Sequence, residues 1–163
     1  MGEKVFDIIL AVVIGSLIGG GAIYFLTRDA TAARVVNGQP IEYWAKGLDS
    51  ASLQGRADAI AALQQFGNDA IAQGIDALNR PSAQDAGVEL LVAIGAPAQS
   101  ALVEVLGGKY AFQRGGAIKA IERMKAPPMP DMLAAVARLL ADETNGPQAA
   151  NYLAKIGPEN SAT

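Results

Sequence analysis

Four segments of the chain share one helical pattern of apolar and polar positions. They align without a gap and end at spacings of 28, 30 and 32 residues, at Gly67, Gly95, Lys125 and Gly157. Counting back from each end, positions 1, 4, 7 and 8 are apolar or small, which places them on one stripe of an α-helix. In the second segment these positions are Ile94, Leu91, Val88 and Gly87. A final Gly suits the left-handed residue that ends many helices.

A shorter apolar helix is predicted before each of these segments. The four shorter helices cover residues 41–48, 70–78, 98–106 and 131–141, and Gly, Pro, Asn, Asp and Ser turn signals separate each from the helix that follows. One helical hairpin cannot bury its apolar stripes alone, but stacked hairpins share a continuous core. The pattern predicts an all-α chain with an α-solenoid of about four hairpins. The repeats are residues 40–67, 68–95, 96–125 and 126–157, before a C-terminal tail of residues 158–163.

The N-terminus carries a long uncharged run over residues 8–26. As a helix it is roughly 28 Å long, enough to cross the hydrocarbon core of a bilayer. We predict a transmembrane helix over residues 8–27, after a short N-terminal tail of residues 1–7. A cleaved secretory signal and a buried core helix are the alternatives. The signal fits less well, because acidic residues offset Lys4 in front of the apolar run.

Small residues recur at four-residue spacing within the predicted transmembrane helix. Ala11, Gly15 and Gly19 form this ridge, and Ser16 and Gly20 lie beside it. Such a ridge lets another transmembrane helix approach closely. The alternative is compositional, since glycine is frequent in transmembrane helices.

Residues 28–39 are polar and Ala-rich and are predicted to be a tether with an Asn37-Gly38 turn. Positive charges on the two sides of the predicted membrane helix are nearly balanced, so the positive-inside rule does not decide its orientation. A short N-terminal tail before a single anchor often stays in the cytoplasm. We therefore expect a single-pass protein of the cell membrane with its repeat domain on the extracytoplasmic, periplasmic side.

The 163-residue chain contains no His and no Cys. This composition excludes zinc sites of the usual kind, thiolate nucleophiles and Ser-His-Asp triads. The formal net charge of −3 argues against nucleic-acid binding, which requires a basic surface. We expect a non-enzymatic protein without a metal or cofactor, whose partners are the membrane and other protein subunits.

Residues 71–78 (IAQGIDAL) and 56–67 (RADAIAALQQFG) carry a family resemblance. The pattern resembles HEAT repeats of the phycobilisome-lyase type, and the resemblance covers residues 40–157. It implies a binding scaffold and says little about activity. The Arg that begins the second helix of such repeats is present at Arg56 and Arg114. It is replaced by Gln84 and Gly146, so an incomplete hydrogen-bonded ladder is expected.

The resemblance also implies that partners bind the surface lined by the second helix of each pair. The candidate partner-binding residues, which lie between the buried stripes, are Gln64, Gln65, Glu89, Leu90, Val92, Lys119, Glu122, Arg123, Asn151, Tyr152 and Lys155. An ordinary solvated face is the alternative for any one of them. The first helices, with Gln73, Asp76 and Glu104, are the alternative docking face.

The sequence favours a non-catalytic accessory or scaffold subunit of a membrane protein complex. The alternative is a free-standing, membrane-tethered adaptor that captures a soluble protein or peptide. A lyase-like enzyme comes third, because nothing in the sequence brings the acidic residues together at one site. These acids are Asp58, Asp85, Glu89 and Glu122.

Overall fold

Helices make up most of residues 34–156, the part of the chain that a computed structural model describes, and the all-α class is confirmed. The α-helices are α1 (Ile41–Gly47), α2 (Leu53–Phe66), α3 (Ile71–Ala77), α4 (Gln84–Ile94), α5 (Gln99–Leu106), α6 (Ala111–Arg123), α7 (Pro130–Arg138) and α8 (Gly146–Ile156). Short 3₁₀ turns cover Gly67–Ala70, Ala96–Ala98 and Leu139–Ala141. The predicted transmembrane helix, its small-residue ridge and both chain ends lie outside the described residues.

The apolar stripe predicted from the repeats faces the interior. Its central position is buried at Leu63, Leu91 and Ile121, and the small residues eight positions before each segment end are buried at Ala59, Gly87, Ala117 and Ala149. Burial of these side chains is the main favourable contribution to helix formation here, because isolated helices of this length are marginal in water.

The helices pack in two rows. Within each hairpin α1 packs on α2, α3 on α4, α5 on α6 and α7 on α8. Helices α2, α4, α6 and α8 are neighbours in one row, and α3, α5 and α7 are neighbours in the other. Each interior helix of a row therefore contacts its hairpin partner and the helices on both sides.

The two helices of the second hairpin approach closely at Gly87. A Cβ atom added there would lie 2.8 Å from the Cβ of Ala77 and 2.9 Å from the carbonyl oxygen of Gly74. Both neighbours belong to α3, so the small residue sets the distance between α3 and α4.

Two of the second helices end at glycines with positive φ. Gly67 has φ 61° and ψ −127°, and Gly95 has φ 75° and ψ −136°, a region open essentially to glycine alone. The third repeat differs, since Lys125 replaces the glycine. There α6 ends where the backbone of Met124 is extended, with φ −65° and ψ 137°. In the loop that follows, the carbonyl oxygen of Pro127 accepts a hydrogen bond at 3.0 Å from Nε2 of Gln99 in α5.

A small antiparallel hairpin precedes α1, where the sequence predicts the end of the tether. Strands β1 (Val35–Val36) and β2 (Gln39–Pro40) are joined by Asn37 and Gly38, both with positive φ, as a type I′ turn requires. Val36 is buried, and its carbonyl oxygen accepts a hydrogen bond from Trp44 Nε1 at 3.1 Å. The packed structure therefore includes residues ahead of Pro40.

No single helix within residues 34–156 is long and apolar enough to cross a membrane. One pair, Gln84–Ile94 with Ala96–Leu106, meets the length and composition test together, but its two members are bent by 119°.

Candidate interaction surfaces

The structure places most of the predicted partner-binding residues on one exposed surface. The exposed members are Gln64, Gln65, Glu89, Lys119, Glu122, Arg123, Asn151 and Lys155. They belong to α2, α4, α6 and α8, which lie side by side. We call this surface the second-helix face.

Leu90 and Tyr152 are corrections to that set, because they are core residues rather than surface anchors. Leu90 is 0% exposed and Tyr152 is 6% exposed, while Val92 is half-buried. The physical reason at Leu90 is the position of α4 between α2 and α6. Leu90 packs in the core cluster on the α2 side and Leu91 in the next cluster, so both flanks of α4 are covered.

The charges of the second-helix face pair across neighbouring helices. Arg123 Nη2 of α6 lies 4.0 Å from Glu89 Oε1 of α4, and Lys155 of α8 pairs with Glu122 of α6. Lys119 adds a further link between α6 and α4, with Nζ 3.1 Å from Gln84 Oε1. Exposed pairs of this kind contribute about 0 to 1 kcal/mol each to stability.

The pairing lowers the value of this face as a docking site. A partner would have to displace or match charges that already neutralise one another. The face also has three apolar members, Leu90, Val92 and Tyr152, and two of them, Leu90 and Tyr152, are buried and cannot contact a partner. Burial together with the nearby Glu122 carboxylate raises the pKa of Tyr152 above its ordinary value.

The first helices present a different surface, an open groove of about 840 Å³ between α3 and α5. Its floor is apolar and includes Ile71 and Ile75 of α3 and Val105 of α5. Tyr110, which is 50% exposed, also lines it. We call this feature the first-helix groove.

Carboxylates dominate the charge of the first-helix groove. Asp69, Asp76 and Glu104 line it, against a single lining cation, Lys109. The side chain of Asp76 is 74% exposed, and one of its oxygens lies 3.3 Å from Arg80 Nε. The Lys109 ammonium lies 4.9 Å from the centroid of the Tyr110 ring, a cation–π contact between two residues that line the groove.

Sequence reasoning named Asp76 and Glu104 only as members of an alternative docking face, and the structure brings both to this groove. Gln73, the third residue named there, does not line it. Gln73 is half-buried, and its Oε1 atom is buried without a hydrogen-bond partner. The groove floor has a sequence signal, since Ile71 and Ile75 are four residues apart on one helix face, but the same spacing predicts ordinary core residues.

The described part of the chain contains no group of three or more Asp, Glu, His or Cys side chains that could hold a metal ion. Of the four acids considered for catalysis, Asp85 and Glu89 have cationic neighbours on α6, and Glu122 has one on α8. The fourth, Asp58, accepts a hydrogen bond from Gln54 Nε2 at 2.7 Å.

Comparison of the chain with protein-family models, with curated proteins and with solved structures finds no match.

Proposed function

We propose that this chain is a non-catalytic accessory or scaffold subunit of a membrane protein complex. In this proposal a single transmembrane helix over residues 8–27 anchors it, and a HEAT-like α-solenoid of four hairpins, on the extracytoplasmic side, binds protein partners. The observation that supports it most is the packing of α1 to α8 in two rows of successive neighbours. Such rows expose long surfaces and have few enclosed cavities, which suits protein partners.

Repeated hydrogen bonds support the HEAT-like part of the proposal. Arg56, Gln84 and Arg114 stand at the same position near the start of successive second helices, and each donates to a carbonyl oxygen six residues earlier. The acceptors are Ser50, Leu78 and Gly108, all in the connection between the two helices of a hairpin. The same tie recurs although the side chain changes from Arg to Gln, so the hairpins are variants of one unit.

The membrane part of the proposal rests on the sequence. The uncharged run of residues 8–26 is long enough to span a bilayer, and its ridge of Ala11, Gly15 and Gly19 suits close packing against a partner's transmembrane helix.

Extraction in a mild detergent tests the proposal and separates it from the adaptor alternative. We expect the full chain to co-migrate with larger membrane proteins on a native gel, and mass spectrometry of that band should return the same partners in repeated preparations. A chain that migrates alone after extraction, yet captures a soluble protein afterwards, would favour the tethered adaptor. A chain that remains in the soluble fraction without detergent would overturn the anchor.

The transmembrane ridge has its own matched control. The double substitution Gly15→Leu and Gly19→Leu preserves hydrophobicity but blocks close approach of a second helix, so we expect loss of the larger band. Val13→Leu and Leu17→Phe enlarge the same segment on the side of the predicted helix opposite the ridge and should leave the band in place. If both double variants assemble equally well, the small residues do not form a helix-packing surface and only reflect the high glycine content of transmembrane helices.

The side of the membrane can be read directly, because the chain has no Cys. A single Glu143→Cys substitution at an exposed turn residue gives one labelling site. Labelling of intact cells by a membrane-impermeant maleimide is expected if the repeat domain is extracytoplasmic, and labelling only after lysis would place it inside.

A further inference from the structure

We infer that the first-helix groove binds a basic protein segment, in which Lys or Arg side chains alternate with aliphatic ones. This inference rests on the proposed scaffold function and adds the docking site and the chemistry of the partner. Its evidence is the combination of an apolar floor, an acidic rim and an exposed aromatic ring in one open trough.

The floor is formed by residues of two short helices, α3 and α5. They have 7 and 8 residues, and their outward positions leave Ile71 and Ile75 only half-covered by the rest of the domain. Gln113 Nε2 of α6 donates to the carbonyl oxygen of Ile75 at 3.0 Å and fixes the C-terminal end of α3. Aliphatic side chains of a partner would cover this surface and remove it from water.

The rim selects the charge of the partner. Three lining carboxylates, of which Asp76 also pairs with Arg80, face one lining cation, and that cation, Lys109, lies over Tyr110. Glu104 is exposed and belongs to no ion pair within residues 34–156. Lys or Arg side chains of a partner would be attracted to Glu104 and, in competition with Arg80, to Asp76, while the exposed Tyr110 ring can stack on a guanidinium.

The same features disfavour other occupants. Nucleic acid and anionic lipid headgroups carry phosphates, which the carboxylates would repel. A small molecule would be buried on few sides in so open a trough, whereas small-molecule sites enclose most of the ligand surface. An extended or helical protein segment uses the length of the groove, and its basic residues neutralise the rim.

The test uses the full chain in a mild non-ionic detergent and a fluorescent peptide that alternates Lys and Val. A peptide of the same length that alternates Glu and Val is the charge control, and protein-free micelles give the background. We expect anisotropy titrations to show binding of the Lys peptide alone, weakening as salt rises. Equal binding of both peptides, or no binding above the micelle background, would overturn the inference.

Two pairs of variants locate the binding. Reversing the rim with Asp76→Lys and Glu104→Lys should weaken the Lys peptide about tenfold or more. Glu42→Lys with Glu143→Lys makes the same charge change at exposed positions outside the groove and should have little effect. Equal losses from the two double variants would mean that net charge alone drives binding.

The second pair avoids any charge change. Tyr110→Ala removes an aromatic ring that lines the groove, and we expect binding to weaken about threefold or more. Phe112→Ala removes a ring that is 47% exposed, close to the 50% of Tyr110, but that does not line the groove. If Phe112→Ala weakens binding as much as Tyr110→Ala, the groove is not the site. Native-gel assembly that persists in the rim variants would leave the scaffold function standing while this docking site fails.

Discussion

Gln84 and Arg114 hold equivalent positions in successive hairpins and each reach 28 residues forward to the next one. Gln84 Nε2 donates to the carbonyl oxygen of Phe112 at 3.0 Å, and Arg114 Nη2 donates to Asp142 Oδ2 at 2.6 Å. Each also donates to a carbonyl oxygen within its own hairpin, so one side chain ties two neighbouring repeats. The stack is therefore held by polar links as well as by its apolar core.

The first prediction concerns the Gln84 link. Gln84→Ala removes the Nε2 donor that the carbonyl oxygens of Leu78 and Phe112 share. We therefore expect the free energy of unfolding to fall by about 1 to 3 kcal/mol. Denaturant unfolding followed by circular dichroism measures it. Gln64→Ala, at an exposed position of α2, should change stability by no more than about 0.5 kcal/mol. Equal effects of the two substitutions would remove Gln84 as a link.

The second prediction tests the close approach of α3 and α4. Gly87→Ala would normally stabilise a helix interior, but here the new Cβ would lie 2.9 Å from the carbonyl oxygen of Gly74. We expect a loss of about 1 to 3 kcal/mol in the free energy of unfolding. Gly115→Ala in α6 meets only the ends of two side chains, Asn145 and Gln148, with the nearest atom at 3.2 Å, and should cost less than Gly87→Ala. Stabilisation by Gly87→Ala would show that the helices can move apart freely.

The third prediction is a pH dependence at the start of α8. The backbone N–H of Asn145 donates to Asp142, and the Arg114 guanidinium attracts its charge, so the pKa of Asp142 is lowered even though desolvation opposes the shift. A lowered folded-state pKa adds stability above the unfolded value of 3.8, and that contribution disappears as pH falls through the folded value. Asp142→Asn should therefore lower Tm at neutral pH, with the difference from the unaltered chain shrinking below about pH 4.

Thermal unfolding across this pH range measures the difference. Glu143→Gln makes the same charge change one residue along the chain, at an exposed position. A constant difference between Asp142→Asn and the unaltered chain down to acidic pH, or an equal loss from Glu143→Gln, would contradict the role of the Asp142 charge.

The helix positions were predictable because each second helix carries a repeated apolar stripe. Leu63, Leu91 and Ile121 recur at the same position, and this period gives the helix and its buried side from local sequence alone. Gly67 and Gly95 mark two helix ends for an equally local reason, their positive φ. The solenoid and the membrane anchor remain predictions.

The second-helix face was only partly predictable, since exposure depends on which helices lie on both sides. The period treats Leu90 as a position between buried stripes, yet α2 and α6 cover both flanks of α4 and bury it. The pairing of Glu89 with Arg123 likewise depends on the register of neighbouring helices. Val36 gave no periodic signal because its strand has only two residues.

The fourth prediction concerns where the folded domain begins. A fragment of residues 34–163 retains the hairpin, whereas residues 40–163 lack Val36 and leave Trp44 Nε1 without its acceptor. Both should be helical, but we expect the longer fragment to be more stable by about 2 to 4 kcal/mol. Fluorescence of Trp44, the single Trp of the chain, follows the unfolding.

A matched pair of substitutions in the full chain checks the cause. Val36→Ala should destabilise the domain, because Val36 is buried, and Val35→Ala should not, because Val35 is 55% exposed. Equal stability of the two fragments, together with equal effects of the two Val substitutions, would return residues 35–39 to the role of a tether.

The last prediction separates core from surface on the second-helix face. Leu90→Ala should cost about 2 to 5 kcal/mol in the free energy of unfolding, because it leaves a cavity in a fully buried site. Leu53→Ala, at a residue that is 78% exposed, and Arg123→Ala, which removes an exposed ion pair, should each change it by less than about 1 kcal/mol. Denaturant unfolding of the three variants measures the cost.

The native-gel assay of the same variants then shows whether each retains its partners. If Arg123→Ala loses its partners while its fold stays stable, the docking site lies on the second-helix face and not in the first-helix groove. Partners retained with Arg123→Ala and lost with Leu90→Ala would mean that Leu90 acts through folding alone.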